Sequence, residues 1–139
     1  MFESCTRLWA LFYAFRAGEI DAAEFRHRQH LAVALCYASL MAPERALEAF
    51  RSDLLRLLRG WEHEGKYHET ITRFWLGVAG HFVRSLGADR CLAQAANDFI
   101  SRFGDKSLIE RHYSAARLWS PAARNGWVDP DALPVPPAV

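Results

Sequence analysis

Hydrophobic residues recur every three or four positions along most of the chain, which is the spacing of the buried face of an α-helix. The pattern predicts five main helices, which end near residues 17, 41, 59, 86 and 103. Glycine commonly ends a helix because it adopts the left-handed conformation at little cost. Four of the five predicted helices are followed directly by a glycine, at positions 18, 60, 87 and 104.

Polar residues and prolines indicate where several of these helices begin. Asp21 and Glu24 have the spacing of a capping box, which predicts that the second helix begins there. Pro43 suits the first position of the third helix, and Asp89 suits the N-cap of the fifth. The fourth helix, predicted at 67–86, is hydrophobic almost all round, so we expect it to be the central helix.

The C-terminal part has a different pattern. Short helical turns are predicted at 107–112 and 115–119, and another begins at Ser120-Pro121. Prolines at 130, 134, 136 and 137 exclude a regular helix or an inner strand from the end of the chain. The sequence therefore predicts an all-α, single-domain helical bundle of four to five main helices over 1–126. An extended Pro-rich tail over 127–139 is expected to dock on it in part.

Composition narrows the class of protein. The 17 basic and 16 acidic residues are interspersed and give a net charge of +1, which argues against nucleic-acid binding. No hydrophobic run approaches the roughly 20 residues of a membrane span, and the first residues lack the pattern of a signal peptide. The three cysteines, with no C-x-x-C pair, are expected to be buried free thiols. These features favour a cytoplasmic protein without a membrane partner, and they leave a homo-oligomer open.

Two short segments contain residues that suit a binding site. His27 and His30 are three positions apart, so they lie on one face of a helix. Tyr67, His68 and Glu69 lie at the predicted start of the fourth helix. If the segments meet, the imidazoles of His27, His30 and His68, with the Glu69 carboxylate, make a reasonable ligand set for a divalent metal ion such as zinc or iron. The H-E-x-x-H metalloprotease motif is absent, because Thr72 stands where its second histidine would be.

Two other interpretations of these residues remain open. In one, the imidazoles and Glu69 form a ligand pocket or acid–base site without a metal, with Tyr67 and a tryptophan as walls. In the other, the histidines are structural, and Glu69 lies near the positive end of the helix dipole and pairs with Arg73. The corresponding function hypotheses are a small-molecule or metal site, or a helical protein–protein interaction module without catalytic activity, which the five tryptophans favour.

The order of several short motifs resembles a family of small bacterial all-helical proteins of unknown function. The resemblance covers about residues 25 to 134 and is most specific at Tyr67-His-Glu-Thr-Ile-Thr72. Its other parts are Phe25-x-His27-x-x-His30-Leu31, Tyr113-Ser114, Ser120-Pro121-x-x-Arg124 and Pro130-Asp131. The resemblance implies that Tyr113 and Arg124 join the two histidine segments, where an arginine would favour a small anionic ligand.

Overall fold

The computed structural model describes residues 1–87 and 90–135. Over these ranges the chain forms seven α-helices, three 3₁₀ turns and no strand, which confirms the predicted all-α bundle. The helices are α1 Cys5–Ala17, α2 His27–Leu40, α3 Pro43–Gly60, α4 Glu69–Arg84, α5 Leu92–Phe103, α6 Ala115–Leu118 and α7 Pro121–Asn125. The 3₁₀ turns are Ala22–Glu24, Glu64–Lys66 and Lys106–Arg111. The predicted N-cap Asp89 and the prolines at 136 and 137 lie outside the described residues.

The central helix is α2, and the prediction that α4 would hold this position is wrong. Seven consecutive residues of α2, 31–37, are buried, and the helix packs against α1, α3, α4 and α5. By contrast, α4 leaves Arg73 and His81 exposed. A helix that is surrounded on all sides must be apolar all round, and the run Leu-Ala-Val-Ala-Leu-Cys-Tyr in α2 meets this condition.

The start of α2 also differs from the prediction. Asp21 makes no side-chain cap, and its carbonyl accepts the Glu24 N–H in a separate 3₁₀ turn. The chain is extended at Arg26, whose N–H donates to Gln29 Oε1 at 3.0 Å, and α2 begins at the next residue. The break lets the Phe25 ring pack beside the rings of Phe15 and Trp61. His27 and His30 consequently lie in the first turn of α2.

The segment after α7 lies against α4. The Thr70 hydroxyl donates to the Gly126 carbonyl at 2.7 Å and accepts the Val128 N–H at 3.3 Å. Arg73 lies over the Trp127 ring, with its guanidinium carbon 5.2 Å from the ring centroid. These contacts hold the C-terminal segment on the bundle. Within the described ranges, no helix is long and hydrophobic enough to cross a membrane.

Candidate functional site

A cavity of about 390 Å³ lies between the start of α2, the end of α3 and the start of α4. His27 and His30 line it from α2, and Tyr67 and His68 line it from the segment before α4. The fold therefore brings together the two segments whose proximity the sequence leaves open. A further histidine, His63, joins them from the loop after α3.

His30 is a cavity histidine that the described part of the bundle leaves without a polar partner. Its ring packs against Phe25 and Phe50, with centroids 6.0 and 5.3 Å away. In the part of the chain that the structure describes, no hydrogen bond engages its ring nitrogens and no buried side-chain nitrogen lacks a partner, so these nitrogens reach solvent. Burial, with a smaller effect of neighbouring His27, lowers the pKa of His30 to about 3. The neutral ring therefore has one donor and one acceptor available.

His27 is held more firmly than His30. Its Nε2–H donates to the Phe103 carbonyl at the end of α5, at 3.2 Å, and its ring meets the Trp75 ring with centroids 4.7 Å apart. Burial lowers the pKa of His27, and the bond to Phe103 partly opposes that effect. The ring centroids of His27 and His30 are 6.3 Å apart, so one small ligand can contact both imidazoles.

His68 is the N-cap of α4. Its Nδ1 accepts the Ile71 N–H at 3.1 Å, and its Nε2–H donates to the Leu118 carbonyl at 2.7 Å. The residue is 5% exposed, and burial is the main cause that lowers its pKa. These two bonds require the neutral form with its proton on Nε2, and together they occupy both ring nitrogens.

This arrangement bears on the predicted metal site. Among residues 1–87 and 90–135, no three His, Cys, Asp or Glu side chains are grouped so that they could hold a metal ion. A zinc or iron site at His27, His30 and His68 stays a prediction. It would require His68 to give up one of its two structural bonds, because a metal needs a free ring nitrogen.

Substitution of His68 is expected to separate its two structural roles. The His68→Ala variant should lose about 2 kcal/mol of unfolding free energy, because it removes a helix cap and a hydrogen bond to Leu118. The His68→Asn variant should recover about 1 kcal/mol of that loss, since asparagine can still accept the Ile71 N–H. Urea unfolding at pH 7 measures both values. The matched control is His63→Ala in the neighbouring loop, and equal losses in the Asn and Ala variants would exclude the cap.

Glu69 follows His68 but is directed elsewhere. Its buried carboxylate accepts hydrogen bonds from Arg51 Nε at 2.9 Å, Arg51 Nη2 at 2.5 Å and the Tyr67 hydroxyl at 2.5 Å. Burial alone would raise the pKa of Glu69, but these hydrogen bonds outweigh burial and the pKa is lowered. The partner of Glu69 is therefore Arg51 of α3. The expected pairing with Arg73 does not form, because that guanidinium lies over Trp127.

Tyr113 and Arg124 do not line the cavity. The Tyr113 hydroxyl donates to the Val128 carbonyl at 2.7 Å and so holds the C-terminal segment. Arg124 Nη1 donates to the carbonyls of Gly65 and Tyr67, at 2.6 and 3.4 Å. Arg124 thus stabilises the turn that forms one wall of the cavity.

The cavity contains two cationic residues that the sequence interpretation missed. Arg26 immediately precedes His27, and Lys66 immediately precedes Tyr67, and both line the cavity. The sequence signal that could have indicated them is the basic residue directly before each histidine segment. It is a weak one, because basic residues also occur throughout the exposed helix surfaces.

Comparisons of the chain with protein-family models, with curated proteins and with solved structures found no match. The resemblance to the family of small bacterial helical proteins stays a prediction that rests on the motifs.

Proposed function

We propose that the cavity between α2, α3 and α4 binds a small anionic molecule that has a flat or aliphatic apolar part. The observation that carries the proposal is the charge of the lining. Arg26 and Lys66 line the cavity together with four histidines, of which His30 and His63 have ring nitrogens that no described residue engages, and no aspartate or glutamate among the described residues lines it. Cationic groups and N–H donors that converge without a competing carboxylate favour an anion such as a carboxylate or phosphate.

The size and the apolar lining support the second part of the proposal. A volume of about 390 Å³ is within the range of small-molecule sites. The rings of Phe25 and Trp61 lie side by side with centroids 6.0 Å apart, and the Trp61 indole is fixed by its hydrogen bond to the Ile20 carbonyl at 2.8 Å. Leu54 and Leu58 add an aliphatic surface from α3.

His30 gives the cavity its polar specificity. A neutral imidazole can donate one hydrogen bond to an oxyanion, and the fold assigns its nitrogens no other task. His27 differs, because one of its ring nitrogens is bonded to Phe103. We therefore assign His30 as the residue that contacts the ligand oxygen, with Arg26 and Lys66 supplying positive charge nearby.

Benzoate and benzamide provide a test, because the two probes have nearly the same shape and differ in charge. Calorimetric titration of the chain without a histidine tag is expected to give at least about tenfold tighter binding of benzoate, since a charge-assisted hydrogen bond is worth roughly 1.5–3 kcal/mol. The His30→Phe variant keeps an aromatic ring against Phe25 and Phe50 but removes the nitrogens. It should lose about the same factor in benzoate affinity.

The control is His81→Phe, which changes an exposed histidine of α4 outside the cavity. This variant should bind benzoate as the parent chain does. Equal binding of benzoate and benzamide, or unchanged benzoate binding by His30→Phe, would overturn the proposal.

The alternative of a helical interaction module stays a prediction. Of the three tryptophans that would form its surface, one is well exposed and two are partly buried. Trp119 is 59% exposed, whereas Trp61 and Trp127 are partly buried against the core.

A further inference from the structure

Two of the three cysteines meet at one end of the bundle. Cys5 is the first residue of α1 and Cys91 is the N-cap of α5, and their sulfur atoms are 3.1 Å apart although 86 positions separate them in the chain. Both are free thiols, one partly exposed and the other exposed. The expectation of three buried thiols is therefore correct for Cys36 and wrong for this pair, because Cys5 and Cys91 lie at the ends of their helices and not among the buried residues of α1 and α5.

The surrounding contacts hold the two thiols in place. The Phe2 N–H donates to Asn97 Oδ1 at 2.9 Å, and Asn97 Nδ2 donates to the Phe2 carbonyl at 3.0 Å. Both the oxygen and the nitrogen of the Asn97 amide therefore bind the backbone of Phe2 and hold the N-terminal segment against α5. Because α1 also contacts α5, the sulfur atoms need to approach by only about 1 Å to reach the usual S–S bond length.

The local electrostatics distinguish Cys91 from Cys36. A hydrogen bond from the Cys5 thiol, followed by the backbone N–H groups of Gln94 and Ala93, holds the pKa of Cys91 below its usual value. Burial instead raises the pKa of Cys36 to about 12. Because the thiolate is the nucleophile in disulfide exchange, Cys91 is the reactive thiol and Cys36 is inert.

We propose that Cys5 and Cys91 are a redox-active pair that forms a reversible intramolecular disulfide with a low-molecular-weight disulfide as the oxidant. The Cys91 thiolate attacks one sulfur of the oxidant, the S–S bond of the oxidant breaks, and the first small thiol leaves with a proton from solvent. The Cys5 thiolate then attacks Cys91 Sγ in this mixed disulfide, and the second small thiol leaves. Two thiols of the protein are oxidised, and the oxidant is reduced to two thiols.

The disulfide would close a loop that contains most of the chain and join the first main helix to the fifth. A cross-link over such a long loop restricts the unfolded chain strongly. The midpoint of thermal unfolding is accordingly expected to rise by on the order of 10 °C in the oxidised form.

The proposal is tested by incubating the full chain with excess oxidised glutathione. The reaction is then quenched with acid, free thiols are alkylated, and the peptides are analysed by mass spectrometry. The expected product is a Cys5–Cys91 linked peptide pair, with Cys36 alkylated only when the chain is unfolded. Excess dithiothreitol should reduce the Cys5–Cys91 disulfide back to two thiols. The proposal is overturned if Cys5 and Cys91 are still free to be alkylated after the incubation. It is also overturned if the cross-link joins two chains, or if the chain without substitutions keeps a glutathione adduct.

Serine variants identify the role of each thiol. The Cys5→Ser variant should trap one glutathione on Cys91, because no second thiolate can displace it. The Cys36→Ser variant is the matched control and should form the disulfide and show the same rise in unfolding temperature. Loss of the disulfide in Cys36→Ser, or absence of a trapped adduct in Cys5→Ser, would contradict the assignment.

Discussion

Lowering the pH from 7 to 5 is expected to reduce the free energy of unfolding by about 2 kcal/mol through His30 alone. The pKa of His30 is about 3 in the folded chain and has its ordinary value of 6.5 when the chain unfolds. Between these values the unfolded chain binds the extra proton. The contribution is therefore complete above pH 6.5 and is lost as the pH falls towards 3. Burial also lowers the pKa of His27 and of His68, so both residues act in the same direction.

Urea unfolding followed by tryptophan fluorescence at pH 7, 6 and 5 measures this effect. The quantity to compare is the change in unfolding free energy between pH 7 and pH 5 within each variant. His30→Phe should reduce that change by about 2 kcal/mol, because phenylalanine has no proton to bind. His81→Phe, at an exposed site, should keep the full change. An unaltered pH dependence in His30→Phe would show that the lowered pKa of His30 does not contribute to the stability.

Replacement of Arg51 by methionine is expected to lower the free energy of unfolding by about 3 kcal/mol, since it leaves a buried carboxylate without its cationic partner. Glu69 is 8% exposed and receives two of its three side-chain hydrogen bonds from Arg51. The Arg51 side chain is itself 35% exposed, which places the expected loss at the lower end of the range for buried ion pairs. Urea unfolding at pH 7 gives the value.

A second substitution isolates the cost of the unpaired charge. Adding Glu69→Gln to Arg51→Met removes that charge and keeps an oxygen that accepts the Tyr67 hydroxyl. The double variant is expected to be about 1–2 kcal/mol more stable than Arg51→Met alone. Arg59→Met, at an exposed position of the same helix, should change the stability by less than about 0.5 kcal/mol. If Arg51→Met cost no more than this control, the ion pair would contribute nothing to the fold.

Local sequence signals predicted the helices well where the deciding contacts are also local. Gly18 ends α1 in the left-handed conformation, with φ of 74°, and Pro43 occupies the first turn of α3. The signal at Asp21 failed because packing of Phe25 against Phe15 and Trp61 favours a break that a capping pattern does not reveal. A helix cap contributes about 1 kcal/mol of free energy, which is less than the free energy gained by burying an aromatic ring.

The residues of the candidate site could largely be predicted from the sequence, but the side chains that they contact could not. His27, His30, Tyr67 and His68 all line one cavity, as the hypothesis of a shared site requires. Glu69 pairs with Arg51 on another helix, a contact that the i to i+4 rule within one helix cannot reveal. The pairing of Cys5 with Cys91 depends in the same way on how α1 and α5 pack.

The bond from His68 to Leu118 has a consequence for the order in which the protein matures on the ribosome. The residues that line the cavity all lie between positions 22 and 72, so they are synthesised before Leu118. The carbonyl that fixes the second nitrogen of His68 emerges 50 residues later. A nascent chain can therefore bring the cavity-lining residues together before the ring of His68 is locked by its bond to Leu118.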